Sequence, residues 1–117
     1  MTYPDLFERI DYKNDRYSVA KKAINSVADT GLIDALGYWM KGIGYGNDGG
    51  GCIFPEEDED FEGVFCYTCM DEEVTISEED FFSLLSQAIQ RHIEIYPNSR
   101  EKLKQIISQS TNSYLTT

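Results

Sequence analysis

The sequence predicts an α+β fold, in which helices at both ends pack around a small antiparallel sheet. Apolar residues recur at helical spacing before Lys41 and again from Phe81 to Ile107. Between these stretches lie short β-branched and aromatic runs, separated by glycine, proline and acidic turns. At 117 residues the chain has the length of one ordinary domain. Area scaling lets it bury roughly two-thirds of its unfolded surface, so neither metal nor disulfide is needed to hold it. Residues 1–117 are therefore expected to form a single domain, with a polar tail over about 109–117.

The elements follow in order. Tyr17, Ala20, Ile24, Val27 and Ala28 recur every three or four residues and predict a helix within Tyr12–Met40. Asp15 or Ser18 is placed to cap its start, and Gly31 to stop it. Leu32, Ile33, Leu36, Trp39 and Met40 then predict a second, short helix after a tight corner. Gly42–Gly51 holds six glycines in ten residues, which reads as a surface loop because glycine is costly in helix and strand alike. Cys52-Ile53-Phe54 is a brief strand ended by Pro55. Glu56–Glu62 is a charged loop interrupted only by Phe61. Gly63–Met70 is the best strand, and Val74-Thr75-Ile76 returns from the turn Asp71-Glu72-Glu73. Ser77, three residues before Asp80, marks a helix start, with Glu78 and Glu79 in its first turn. Phe81, Leu84, Leu85, Ala88, Ile89, His92 and Ile93 form its apolar stripe. Pro97 ends that helix and Asn98 or Ser99 caps the last. There Leu103, Ile106 and Ile107 face inward, and Arg100, Lys102 and Lys104 face outward.

Charge is distributed very unevenly. The chain has 21 acids and 10 bases, a net −11. Thirteen of the acids fall between Gly42 and Gln90, where there is no Lys or Arg; the remainder of the chain has eight acids and ten bases. Such a segment repels phosphate, so nucleic acid and anionic membrane are excluded as partners and a cationic macromolecule is the natural complement. The first residues, Met1–Glu8, contain neither a basic region nor an apolar stretch of the secretory kind, and no apolar run is long enough to span a bilayer. Three cysteines in such a chain read as reduced thiols, so the expected location is cytoplasmic.

Four motifs invite a chemical reading. Gly44-Tyr45-Gly46-Asn47-Asp48-Gly49 matches G-x-G-x-x-G, but two more glycines, a short strand and Pro55 follow it where a dinucleotide site needs a helix N-terminus. Asp58-Glu59-Asp60-Phe61-Glu62-Gly63 begins like a calcium loop, yet its twelfth position is Cys69 instead of glutamate. Cys66-Tyr67-Thr68-Cys69 is a C-x-x-C within a strand, where alternation sends the two thiols to opposite faces. Zinc would find only Cys52 and His92 besides this pair. His92, the one histidine, lies on the edge of an apolar stripe with no local acid or nucleophile. No cofactor is expected, and no catalytic residue. The chain does not read as an enzyme.

What remains is a base-free acidic segment preceded by Tyr38 and Trp39 and interleaved with Tyr45, Phe54, Phe61, Phe65 and Tyr67. An acidic rim beside exposed aromatics suits the binding of a basic protein. The order of an N-terminal helical region, Gly44–Gly49, an acidic connection, a strand and then Ile76-Ser77-Glu78-Glu79-Asp80-Phe81-Phe82-Ser83-Leu84-Leu85 resembles bacterial immunity proteins of polymorphic toxin systems. In particular it resembles those paired with ribonuclease toxins of contact-dependent growth inhibition, over residues 10–108. The resemblance implies a cytoplasmic inhibitor that binds the C-terminal nuclease domain of a cognate toxin and blocks its active site. The residues expected to meet that domain are Asp48, Glu56, Glu57, Asp58, Glu59, Asp60 and Glu62, with Trp39 or Tyr45 as aromatic anchor. Three alternatives stay open: a calcium module on Asp58, Asp60 and Glu62, a zinc or redox protein on Cys52, Cys66 and Cys69, and a nucleic-acid mimic that inhibits some other protein.

Overall fold

The computed structural model describes residues 6, 7, 10–55 and 62–108. Glu56–Asp60 and the tail over 109–117 lie outside these. The described chain is α+β, as its patterning predicts.

The first helix begins inside the expected Tyr12–Met40 stretch, at Ser18, but neither Asp15 nor Ser18 caps it. The Asp11 carboxylate accepts hydrogen bonds from the backbone N–H groups of Lys13 and Asn14, and Asp15 accepts one from Tyr17 N–H. These side-chain-to-backbone bonds compete with helix and hold the segment in turns. Helix α1 spans Ser18–Trp39, and no side chain caps its start. Gly31 interrupts it with φ 139° and ψ 98°, a conformation that glycine alone tolerates easily. The expected helical pair is therefore present, two helical stretches joined by a sharp corner at Gly31, the expected residue. Ala20, Ala23, Ile24 and Val27 before the kink, and Leu32, Ala35, Leu36 and Trp39 after it, are buried.

The glycine segment is a hairpin, which corrects the surface-loop reading. Strand β1 is Tyr45–Asn47 and β2 is Gly50–Ile53, paired antiparallel. Tertiary contacts override the poor strand propensity. A Cβ on Gly50 would lie 2.4 Å from the Tyr67 carbonyl oxygen, and one on Gly51 would lie 2.5 Å from the Gly46 Cα. Only bare backbones approach this closely. Strand β3, Val64–Thr68, and strand β4, Glu73–Ile76, complete an antiparallel sheet ordered β1-β2-β3-β4.

One face of the sheet carries Cys52, Cys66, Val64 and Ile76 into the core, alongside α1. There Trp39 meets Phe81 edge-on at 5.3 Å between ring centroids, and Phe81 meets Phe54 at 5.7 Å. Helix α2, Glu78–Ile95, supplies Phe81, Phe82, Leu84, Leu85, Ala88 and Ile89 to this core. Its start is the predicted one: Ser77 Oγ accepts from Asp80 N–H at 3.0 Å. Replacing Ser77 by alanine is expected to lower stability by about 1 kcal/mol in urea unfolding, with an unchanged denaturant slope.

A single 3₁₀ turn, Pro97–Ser99, leads directly into α3, Arg100–Ser108. Ser99 does not cap that helix. Its hydroxyl donates to the Tyr96 carbonyl oxygen at 2.7 Å and lies 2.9 Å from His92 Nδ1, closing the end of α2. Partial burial holds His92 below the usual histidine range, since desolvation disfavours the imidazolium. The folded chain thus binds fewer protons than the unfolded one near the ordinary histidine pKa of 6.5. The stability this contributes is present above that value and is lost as pH falls through the lower folded value. A His92→Gln variant is expected to show a flatter dependence of Tm on pH between about 7 and 5 than the parent chain.

Candidate interaction surface

Two tight turns stand together at one end of the sheet. Gly50 pairs with Thr68, and the Gly49 carbonyl accepts from Cys69 N–H at 3.1 Å, so the β1–β2 turn touches the β3–β4 turn. The first turn is anchored by Asn47, whose amide donates to the Ser26 carbonyl oxygen at 2.7 Å and accepts from Gly49 N–H at 2.8 Å. Asp48 is exposed on this braced turn. Beside it, Asp71 and Glu73 are exposed and Met70 is 67% exposed. Asp71 sits at φ 60°, a left-handed conformation that aspartate tolerates.

Glu62, Glu78 and Glu79 lie at the other end. Val64 pairs with Ile76, which brings Glu62 next to the start of α2. Glu62 and Glu78 both line an open cleft of about 620 Å³ with Pro55, Gly63, Thr75 and Ser77. The length of β3, roughly 13 Å at about 3.3 Å per residue, separates the two ends. Asp48 and Glu62, grouped together by sequence, are therefore brought to opposite ends of the sheet. Glu56, Glu57, Asp58, Glu59 and Asp60 lie outside the described residues, as do two of the three calcium candidates, Asp58 and Asp60.

Bases from the first helical region reach part of the acidic segment. Lys22 Nζ lies 2.9 Å from Glu72 Oε1, and Thr68 Oγ1 donates to the same oxygen at 3.1 Å. This ammonium, and secondarily the hydroxyl, hold the Glu72 carboxyl below its ordinary range. Tyr17 Oη donates to Asp80 Oδ2 at 2.8 Å, with Arg16 at 3.8 Å. No sequence neighbour signals these bonds, which span 50 and 63 positions. Among the described residues, Asp48, Glu62, Asp71, Glu73, Glu78 and Glu79 make no ion pair.

The aromatics sort differently from expectation. Trp39 is 0% exposed, and its indole N–H donates to the Cys52 carbonyl oxygen at 3.2 Å. It has no surface to offer a partner, and the anchor reading is corrected. The spacing Leu32, Leu36, Trp39 is an i, i+4, i+7 stripe that signals this burial. Phe54 is buried as well. Tyr45 is half-buried and stacks on Tyr38, with centroids 5.3 Å apart and Tyr38 48% exposed. Ile43, also 48% exposed, follows in the chain. Ile43 is a surface residue that charge reasoning passes over, and Tyr38 is one it names beside the acids without choosing it as an anchor.

Cys52 and Cys66 face one another across β2 and β3, both buried. Burial, and then the hydrogen bond with Cys66, push the Cys52 thiol up. Cys69 is exposed beyond the end of β3, apart from that pair. The three thiols are not brought to one site. Among the described residues, no group of three His, Cys, Asp or Glu side chains is placed to hold a metal ion, and no helix is long and apolar enough to cross a membrane. The G-x-G-x-x-G stretch closes a hairpin and opens no helix.

A family model described as CDI immunity protein, CdiI_4, matches residues 16–107. The chain belongs to this family. The match runs from the turn before α1 into the last turns of α3, so it takes in every strand and helix described above. No curated protein matches the chain. For a CDI immunity protein the partner is a cognate toxin.

Proposed function

We propose that this chain is an acidic, cytoplasmic immunity protein that binds the C-terminal nuclease domain of its cognate toxin and occludes a cationic active site. Family membership supports a toxin as partner. One observation carries the rest: 49 residues without a base hold thirteen acids, and six of these stand exposed or half-buried without an ion pair among the described residues. A ribonuclease site must hold phosphates and is cationic for that reason, so an acidic surface fits where RNA would. Asp48, Glu56, Glu57, Asp58, Glu59, Asp60 and Glu62 are the proposed contacts, with Tyr45 and its stacked neighbour Tyr38 as the aromatic element. The chain itself performs no reaction; inhibition is by occlusion.

Unpaired surface carboxylates raise the local potential without spending their charge internally, and this steers a basic partner during diffusion. Titrating the chain into an RNA-cleavage reaction of the cognate toxin domain is expected to abolish cleavage at equimolar protein. Unchanged cleavage in the presence of excess chain would refute the reading.

A further inference from the structure

The proposed function leaves one surface unused. Cross-strand pairing places Ile53, Phe65 and Thr75 in one row of the sheet and Gly51, Tyr67 and Glu73 in the next, on the face opposite the buried cysteines. Ile53, Phe65 and Tyr67 are half-buried, and they stand outside the core cluster and the side chains packed on it. The Phe65 and Tyr67 rings stack at 6.2 Å with an interplanar angle of 28°. Tyr67 extends over bare backbone: a Cβ on Gly46 would lie 2.6 Å from its hydroxyl. A cavity of about 450 Å³ opens on this face, lined by Ile53, Phe65 and Tyr67 on one side and by Asp71, Glu72 and Glu73 on the other.

Aromatic faces bounded by carboxylates suit an organic cation. The ring quadrupole attracts the charge, the acids pair with it, and the apolar stem of lysine or arginine covers the rings. The rim already does this within the molecule, where Lys22 reaches Glu72 at 2.9 Å with its ammonium 5.6 Å from the Tyr12 ring centroid. Glu73 and Asp71 make no such pair among the described residues. No strand residue of the sheet is a base.

We infer that this sheet face seats a lysine or arginine side chain of the toxin domain, laid over Tyr67 and paired with Glu73 and Asp71. The inference rests on the proposed function and adds a second, aromatic contact area to the acidic loop. It predicts a division of labour. Loop acids govern how fast the partners meet, whereas this seat governs how slowly they part.

The test measures association and dissociation rates of the purified chain with the cognate toxin domain at fixed salt. Thr75→Arg puts a like charge on the seat, and Gln87→Arg puts the same charge on the exposed side of α2. Thr75→Arg is expected to weaken affinity at least about tenfold, mainly through faster dissociation, with Gln87→Arg within about threefold of the parent. Glu73→Gln, which alters neither size nor packing, is expected to speed dissociation severalfold and keeps the test decisive should Thr75→Arg not fold. If the parent complex forms and inhibits while Thr75→Arg or Glu73→Gln dissociates no faster than Gln87→Arg, the seat is overturned and the toxin reading stands. If the parent chain neither binds nor inhibits, both fall. A parent chain that is dimeric by sedimentation and made monomeric by Thr75→Arg also overturns the seat, since a second copy then covers the face.

Discussion

Truncating Trp39 to alanine is expected to cost about 3–5 kcal/mol of folding stability, a large share of the roughly 5–15 kcal/mol typical of a domain. The indole is fully buried, and its edge-on partner Phe81 also holds Phe54 and Phe82 in the same aromatic cluster. Removing it leaves a cavity among rings that cannot collapse far, because each is wedged against another. It also strips the Cys52 carbonyl of the indole N–H that reaches it in the core. Trp39→Phe retains most of the apolar volume and is expected to lose about 1–2 kcal/mol. Urea unfolding separates the two variants. The folded fraction of either is expected to bind toxin as the parent does, since Trp39 offers no surface. A loss of stability below about 1 kcal/mol for the alanine variant, accompanied by weaker binding, would put the indole at an interface instead of in the core.

The second large effect is kinetic. Replacing Glu57, Asp58 and Asp60 by lysine changes the net charge of the connection between β2 and β3 by six. Association with the toxin domain is expected to slow about 10- to 100-fold at low salt, toward the rate of an unsteered encounter. Thermal stability should shift little, because like charges are being exchanged for opposite ones in a segment that carries no base of its own. Asp48→Lys gives a useful contrast. It sits at the other end of the sheet, a strand's length from Glu62, and this single reversal is expected to slow association less than the triple one. An association rate unmoved by the triple reversal would place the interface elsewhere on the molecule.

Local signals decided which parts of this fold were legible from residues alone. Helix α2 was readable because three independent cues agreed: Ser77 at the cap, acids in the first turn and an unbroken apolar stripe from Phe81. The kink at Gly31 was readable for a similar reason, since only glycine takes that φ without strain. The hairpin at Tyr45–Ile53 was not. Every local preference of glycine argues against strand, and the reason for glycine there is the closeness of the Tyr67 backbone, a residue met only after folding. The Asp11 and Asp15 carboxylates turn the backbone aside ahead of Ser18, so α1 begins within the expected Tyr12–Met40 stretch but without the side-chain cap that Asp15 or Ser18 suggests.

At the candidate site the limits were likewise physical. Charge counting located the acids but not their partners, because Lys22 and Arg16 meet Glu72 and Asp80 only through the packing of α1 beside β4 and α2. It also could not tell that the acids divide between two ends of a sheet. Aromatic residues in an acidic context were named as candidates together, and burial then separated Trp39 and Phe54 from Tyr38 and Tyr45.

The most direct measurement is the association rate constant of the chain with its cognate toxin domain across ionic strength. If free carboxylates bring the two proteins together, the rate should fall by about tenfold or more as salt is raised from roughly 25 to 250 mM, while dissociation changes little. A rate that stays level across that range would mean the acidic surface does not guide the encounter.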